Sequence, residues 1–77
     1  MTKEVTNLRI KMIERRKELG LTQQTVANFI GKKRNTVTGY EQGKLTPPLD
    51  IAIKIKEILQ TNDDNIFLNH NVIINDK

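Results

Sequence analysis

The stretch QQTVANFIGKKRNTVTGYEQ, residues 23–42, decides how this 77-residue chain folds. Val26 and Ile30 lie at helical spacing in its first part, and Gly31 ends that helix after about eight residues. Thr22 precedes it, and its hydroxyl is suited to accept an amide proton of the first turn as an N-cap. A helix this short is unstable in water by itself, so tertiary packing must hold it.

The second part of this stretch, Arg34 to Gln42, contains the segment Thr36-Val37-Thr38-Gly39, whose helix propensity is poor. Val37 and Tyr40 are spaced i and i+3 and form its only apolar side. The outer side then carries Arg34, Asn35, Thr38 and Gly39. The sequence therefore predicts a third helix at about 34–42 that depends on its neighbours and keeps a polar face free of core contacts.

Helical spacing also organises the region before this stretch. Val5, Leu8, Met12 and Leu19 fall at offsets of 0, 3, 7 and 14, with charged residues between them. Gly20 is placed to end the helix in a left-handed conformation that glycine adopts easily. We predict a first helix over about residues 5–19.

Two further elements follow Thr46-Pro47-Pro48, where proline fits the first turn of a helix. Between Leu49 and Leu59 the isoleucines at 51, 53 and 55 alternate with other residues, as a strand would require. The apolar set at 51, 55, 58 and 59 also marks one side of a helix, and a fourth helix is the favoured interpretation. Asn62-Asp63-Asp64 offers an N-cap and acidic first-turn residues, which predicts a short fifth helix at about 63–68.

Composition limits the chain to one small domain without a disulfide framework. It has no cysteine and only 4% aromatic residues, which favours an all-α, compact four- to five-helix bundle over a sandwich of many strands. Residues 1–44 hold ten basic and four acidic groups, whereas residues 45–77 hold three and five. The positive half suits a polyanion. No apolar stretch reaches membrane-spanning length and no signal segment is visible, so we expect a cytoplasmic protein.

The stretch 23–42 resembles the helix-turn-helix of the Cro and phage-repressor type, the xenobiotic-response-element (XRE) family of bacterial and phage regulators. The resemblance rests on Ala27 where the helices cross, on Gly31 in the turn, and on the packing positions Val26, Ile30, Val37 and Tyr40. Flanking matches are Arg16, Gly20-Leu21-Thr22-Gln23 and Glu41-Gln42-Gly43-Lys44.

The resemblance covers residues 8–67 and implies a lambda-repressor-like DNA-binding domain over residues 1–68. Residues 69–77 would be a polar tail, flexible or part of a dimer contact. The family pattern also pairs Arg16 with Glu41, which ties the first helix to the end of the third, the recognition helix.

Candidate DNA contacts follow from the chemistry of the third helix and from the resemblance. Arg34, Asn35 and Thr38 are the base-contacting candidates, because arginine can chelate guanine, asparagine can chelate adenine, and threonine can touch a thymine methyl. By resemblance, Gln23 anchors a phosphate through its amide and the first-turn N–H groups. The other phosphate candidates flank the recognition helix: Lys32, Lys33, Thr36 and Lys44.

Two departures from the family pattern have physical consequences. Lys33 stands where a serine or threonine usually caps the recognition helix, and losing that cap costs about 1 kcal/mol. Gly39 stands where relatives often carry a longer side chain that reaches bases, so fewer direct base contacts are implied.

We expect a transcriptional regulator, in the simplest case a repressor, that binds duplex DNA as a homodimer. One recognition helix contacts few base pairs, whereas two related by a two-fold axis contact half-sites about 34 Å apart in a pseudo-palindromic operator. The candidate dimer interface is Ile66, Phe67 and Leu68, with Val72-Ile73-Ile74 beyond it, because these apolar residues exceed what a small core absorbs.

The sequence is also compatible with other functions. The same pattern fits a restriction-modification controller protein, or an antitoxin whose apolar tail covers a toxin, and RNA binding is a weaker alternative because the A-form major groove is too narrow for a helix. No catalytic motif is present, so an enzyme is not expected. His70 is the only histidine, and neither a metal, a cofactor nor a small-molecule ligand is expected.

Overall fold

The computed structural model describes the backbone of residues 2–76 and the side chains of residues 7–70. In chain order the elements are β1 (Thr2–Leu8), α1 (Ile10–Glu18), α2 (Gln23–Ile30), α3 (Arg34–Glu41), α4 (Leu49–Ile58), a 3₁₀ turn (Asp64–Phe67) and β2 (His70–Asp76). The predicted helical fold is confirmed for the body of the chain. The 3₁₀ turn occupies the position of the predicted fifth helix, and Asp63 caps it by accepting from the Asn65 amide at 2.9 Å.

The predicted boundaries of α2 are confirmed in detail. The Thr22 hydroxyl accepts a hydrogen bond from the Thr25 amide at 3.0 Å, and Gly31 ends the helix with a φ of 72°. That left-handed conformation is unfavourable for residues with a side chain. The tight turn it allows sends the chain directly into α3.

The core lies where the four helices and the 3₁₀ turn meet. Its buried apolar residues are Met12, Val26, Ala27, Ile30, Val37, Tyr40, Ile51, Ile55, Leu59 and Ile66. In α4, Ile51 and Ile55 are buried whereas Ile53 is 50% exposed, so the helical interpretation of this segment is confirmed over the strand. At ten residues α4 is the longest described helix, and none of the described helices is long and apolar enough to cross a membrane.

The prediction for the start of the chain is wrong, because α1 begins at Ile10 and residues 2–8 form a strand. This strand pairs antiparallel with β2, with Val5 opposite Ile73 and Leu8 opposite His70. Val5 and Leu8 do fall at helical spacing, but threonine and valine also favour strands. Whether these residues form a strand depends on a pairing strand at the other end of the chain. Residues 70–76, which the sequence predicts as a tail that is flexible or part of a dimer contact, form that partner.

Candidate nucleic-acid interface

The inner side of α3 packs into the core and its outer side faces solvent. Val37 and Tyr40 are buried, whereas Arg34 and Asn35 are exposed and Thr38 is half-buried. Burial, with a smaller effect from Asp50, raises the pKa of the Tyr40 hydroxyl and keeps it neutral. The predicted arrangement of these five side chains is therefore the observed one.

Gln23, the first residue of α2, connects the two helices through its side-chain amide. Its Oε1 accepts from the Thr38 hydroxyl at 3.2 Å and from Arg34 Nε at 3.4 Å. Its Nε2 donates to Glu41 Oε1 at 2.9 Å. One predicted phosphate contact and two predicted base contacts therefore meet on one surface.

An open cleft of about 510 Å³ lies beside this group at the amino end of α2. It is lined by Arg16, Leu21, Thr22, Gln23, Gln24 and Arg34. The first backbone N–H groups of a helix have no acceptor within the helix, and the helix dipole adds positive potential there. Arg16 in its wall is already paired with Glu41, whereas the exposed Arg34 adds positive charge, so the cleft has the chemistry of an anion site.

The predicted lysine contacts lie at both ends of α3. Lys32 and Lys33 are exposed in the turn before it, and Lys44 is exposed just after it. Thr36 is half-buried in the first turn of the helix. Since eight residues of helix span about 12 Å, cationic side chains flank the whole outer face. Lys33 occupies the N-cap position and makes no side-chain cap hydrogen bond, as its chemistry predicts.

The carboxyl end of α3 is held by an ion pair that the family pattern implied. Arg16 Nε lies 2.6 Å from Glu41 Oε2, and the Glu41 side chain is only 4% exposed. The Arg16 guanidinium also donates to the Leu21 carbonyl at 2.9 Å. The pairing of Arg16 with Glu41 is thus confirmed.

A second arginine at this end, Arg9, is buried and was not among the residues predicted from the sequence. Its Nη1 donates to the carbonyls of Tyr40 and Leu45, both at 2.6 Å, and its Nε donates to the Phe67 carbonyl at 2.9 Å. Its backbone N–H donates to the Glu41 carbonyl at 2.8 Å. Burial lowers the pKa of Arg9. The available signal was spacing, because Arg9 precedes the buried Met12 by three residues and so lies on the same side of the chain as the core.

The outward placement predicted for Gly39 is wrong, because this residue is buried against the loop that follows α3. A Cβ added to Gly39 would lie 2.7 Å from Leu45 Cδ1 and 3.0 Å from Leu45 Cγ. The chain turns back after the helix, and the amides of Lys44 and Leu45 both donate to the Gly39 carbonyl, at 3.0 and 3.1 Å. The glycine therefore serves close packing of the loop rather than contact with a ligand.

The predicted dimer residues have unequal surroundings. Ile66 is 3% exposed and belongs to the core of its own chain, so its side chain is not available to a partner in this conformation. Phe67 is half-buried against the core, whereas Leu68 is 53% exposed.

Comparison with known proteins places this architecture in a family. Residues 12–64 match the helix-turn-helix family. A relative from Archaeoglobus fulgidus is 31% identical over 61 residues, which cover 79% of this chain and 87% of the relative. A relative from Methanothermobacter thermautotrophicus is 37% identical over 62 residues, which cover 79% of this chain and 90% of the relative.

Both relatives bear the name "uncharacterized HTH-type transcriptional regulator". They come from archaea, whereas the sequence resemblance pointed to bacterial and phage regulators. No solved structure matches the chain significantly. The family match runs from the third residue of α1 to the first residue of the 3₁₀ turn. It includes every predicted DNA-contacting residue but not Arg9 or the predicted dimer residues Ile66, Phe67 and Leu68. The chain therefore belongs to the helix-turn-helix family.

Proposed function

We propose that this protein is a transcriptional regulator that binds specific sequences of duplex DNA by inserting the outer face of α3 into the major groove. The observation that carries the proposal is the pair of hydrogen bonds from Arg34 and Thr38 to Gln23. They orient the outer face of α3 and the amino end of α2 toward the same side. One duplex can then contact both, with bases against α3 and phosphates against α2.

Base contacts fall to Arg34, Asn35 and Thr38. The bond to Gln23 uses only Nε of Arg34, which leaves both terminal amino groups for the O6 and N7 of a guanine. Asn35 is exposed in the first turn and suits the N6 and N7 of an adenine. The single proton of the Thr38 hydroxyl is shared between Gln23 Oε1 and the Arg34 carbonyl, each at 3.2 Å, so a thymine contact through the threonine methyl group breaks no internal hydrogen bond.

Phosphate contacts are assigned to Gln23, Lys32, Lys33, Thr36 and Lys44. Gln23 uses one amide proton for Glu41, which leaves the second for a phosphate oxygen beside the cleft. The exposed lysines neutralise phosphates and release counterions on binding. This set supplies affinity that is independent of sequence and falls steeply with added salt.

The regulator acts in the cytoplasm as a homodimer on a pseudo-palindromic operator. A single eight-residue helix contacts too few base pairs for useful specificity, whereas two helices related by a two-fold axis contact half-sites about 34 Å apart. Phe67 and Leu68 remain candidates for the dimer contact, since the core does not fully bury them. Repression by blocking RNA polymerase is the simplest output of such binding.

Selection of bound sequences from random duplexes tests this function. We expect the wild type to select a two-fold-symmetric motif, and Arg34→Ala to lose preference at one position in each half-site, by a factor equivalent to about 1–3 kcal/mol. Lys33→Ala is the matched control. It should weaken binding to all sequences alike and lower the salt slope by about one unit. No enriched motif with the wild type would disprove sequence-specific binding, and an unchanged motif with Arg34→Ala would remove Arg34 from base contact.

A further inference from the structure

The two-stranded sheet that joins the chain ends has unpaired outer edges. It consists of β1 and β2 alone, so each strand uses one side for the other and leaves its second side without a strand partner in the described chain. A sheet of two strands is only marginally stable in water, and three or more strands with an apolar side are needed for a robust one. An open edge is also a template for pairing with another chain.

The sequence of β2 is chemically symmetric about its central residue. It reads His-Asn-Val-Ile-Ile-Asn-Asp from His70 to Asp76, with Ile73 in the middle. When a strand pairs antiparallel with a copy of itself about Ile73, residues equally far from the centre face each other. His70 then opposes Asp76 of the partner subunit, Asn71 opposes Asn75, and Val72 opposes Ile74. The His70 ring can donate a hydrogen bond to the Asp76 carboxylate, and the other two pairs match in polarity or apolar character, which stabilises cross-strand neighbours.

The edge of β1 lacks this property. About its centre, Val5, self-pairing would set Thr2 against Leu8, Lys3 against Asn7 and Glu4 against Thr6. None of these pairs joins opposite charges or two apolar residues. Because Thr2 would also face the apolar Leu8, the edge of β2 is the better matched of the two to a second copy of the chain.

We propose that two copies of this protein associate through the β2 edges, forming a continuous four-stranded antiparallel sheet with the two-fold axis at Ile73. The strand order would be β1, β2, then β2 and β1 of the partner. In an antiparallel pair of strands, a two-fold axis can pass between two residues that are hydrogen-bonded to each other or between two that are not. An axis at Ile73 is therefore possible whether or not Ile73 bonds to its copy. Leu68 is 53% exposed two residues before the strand and extends the apolar character of this region. This dimer rests on the proposed function for its biological role, because binding to two half-sites requires two copies of the chain.

Single cysteines give the direct test, because the natural chain has none. In Ile73→Cys the two thiols would sit opposite each other with Cβ atoms about 5 Å apart, close enough for a disulfide after a small adjustment. Val5→Cys is the matched control, since Val5 is the direct neighbour of Ile73 in the sheet but would lie about 14 Å from its symmetry mate across three strand spacings. Under mild oxidation without DNA, we expect Ile73→Cys to form covalent dimers about tenfold faster than Val5→Cys.

A charge exchange at the same position separates this interface from any other dimer contact. Ile73→Lys and Ile73→Glu each place like charges across the axis, so each alone should sediment as a monomer. An equimolar mixture should recover a dimer that contains one chain of each. Circular dichroism of each variant reports whether the helical body remains folded, and the cysteine pair decides the matter if either charged variant does not fold.

Three results would overturn the inference: a wild type that is monomeric at micromolar concentration, equal crosslinking by the two cysteine variants, or charged variants that dimerise unmixed. The outcome is independent of DNA recognition. A protein that crosslinks through position 73 but selects no DNA motif would refute the proposed function alone. A protein that selects a motif without this crosslink would refute the β2 interface alone.

Discussion

At its amino end α3 is exposed and lacks a side-chain cap, whereas at its carboxyl end it is buried and bonded on several sides. Lys33 in the N-cap position and Arg34 after it are exposed, and both place positive charge where the helix dipole is already positive. At the other end, Arg9 donates to the carbonyls of Tyr40 and Glu41, and Arg16 pairs with the Glu41 carboxylate. Positive charge there complements the dipole.

The difference shows how a segment with poor helix propensity can serve as a recognition helix. Thr36-Val37-Thr38-Gly39 would not form a helix alone, and the cations at its amino end oppose one. Tertiary bonds at the carboxyl end compensate for both. The amino end is therefore free to carry the charge that suits DNA, while the ion pair and the arginine hydrogen bonds that hold the helix lie at its other end.

The largest expected effect comes from removing the buried guanidinium at the carboxyl end. Arg9→Met removes the side-chain donor to the Leu45 and Phe67 carbonyls and leaves the Tyr40 carbonyl with the Gly43 amide as its donor. Each such loss costs about 1–3 kcal/mol, so the free energy of unfolding should fall by about 3 kcal/mol or more, as measured by urea denaturation. Lys11→Met is the matched control, because Lys11 is an exposed cation of α1 and should change stability by less than about 0.5 kcal/mol.

If Arg9→Met does not fold, Arg9→Lys supplies the measurement. Its single ammonium cannot reach all the acceptors of the guanidinium, and its stability should lie between that of Arg9→Met and the wild type. Equal stabilities for Arg9→Met and Lys11→Met would mean that the hydrogen bonds of Arg9 do not hold α3.

A substitution at the amino end of α3 should have an effect of intermediate size. It should raise the stability of the fold and weaken DNA binding. Lys33→Ser restores a capping hydroxyl and removes a charge that opposes the dipole, which should raise the free energy of unfolding by about 1 kcal/mol. The same variant should bind every DNA sequence more weakly, with a reduced salt slope. Thermal denaturation and titration at several salt concentrations measure the two effects.

Lys33→Ala separates the cap from the charge. It removes the same ammonium without adding a hydroxyl, so it should weaken DNA binding equally but gain less stability than Lys33→Ser. If Lys33→Ser were less stable than the wild type, the amino end would contain a stabilising contact that the structure does not show.

The smallest expected effect concerns the packing of Gly39 against the loop. Alanine improves helix propensity by about 1 kcal/mol over glycine, but its Cβ would displace the Leu45 side chain, so Gly39→Ala should change stability by less than this amount. Leu45→Ala removes the Cδ1 and Cγ atoms that lie closest to this position. In that background Gly39→Ala should raise the free energy of unfolding by the full amount, about 1 kcal/mol. Thermal denaturation of the four proteins in this cycle measures the coupling. An identical effect of Gly39→Ala in both backgrounds would show that Leu45 does not constrain this position.

Local patterns in the sequence were enough to predict α2, α3 and α4, the turn at Gly31, the Thr22 cap and the exposure of Arg34 and Asn35. Each of these follows from residues within one or two helical turns of each other, where spacing, capping and backbone preference act locally. The helix over 49–59 could be chosen over a strand for the same reason, since its apolar set continues past the alternating stretch. Family resemblance added the pairing of Arg16 with Glu41, which spacing alone does not reveal.

Long-range contacts set four features that local patterns do not reveal: the strand at residues 2–8, the acceptors of Arg9, the burial of Gly39 and the place of Ile66 in the core. The strand needs β2 from the opposite end of the chain, and Arg9 finds acceptors at Tyr40, Leu45 and Phe67. Contacts between residues this far apart leave no periodic trace in the sequence. They form because the folded helices bring donors, acceptors and strand edges within reach of one another.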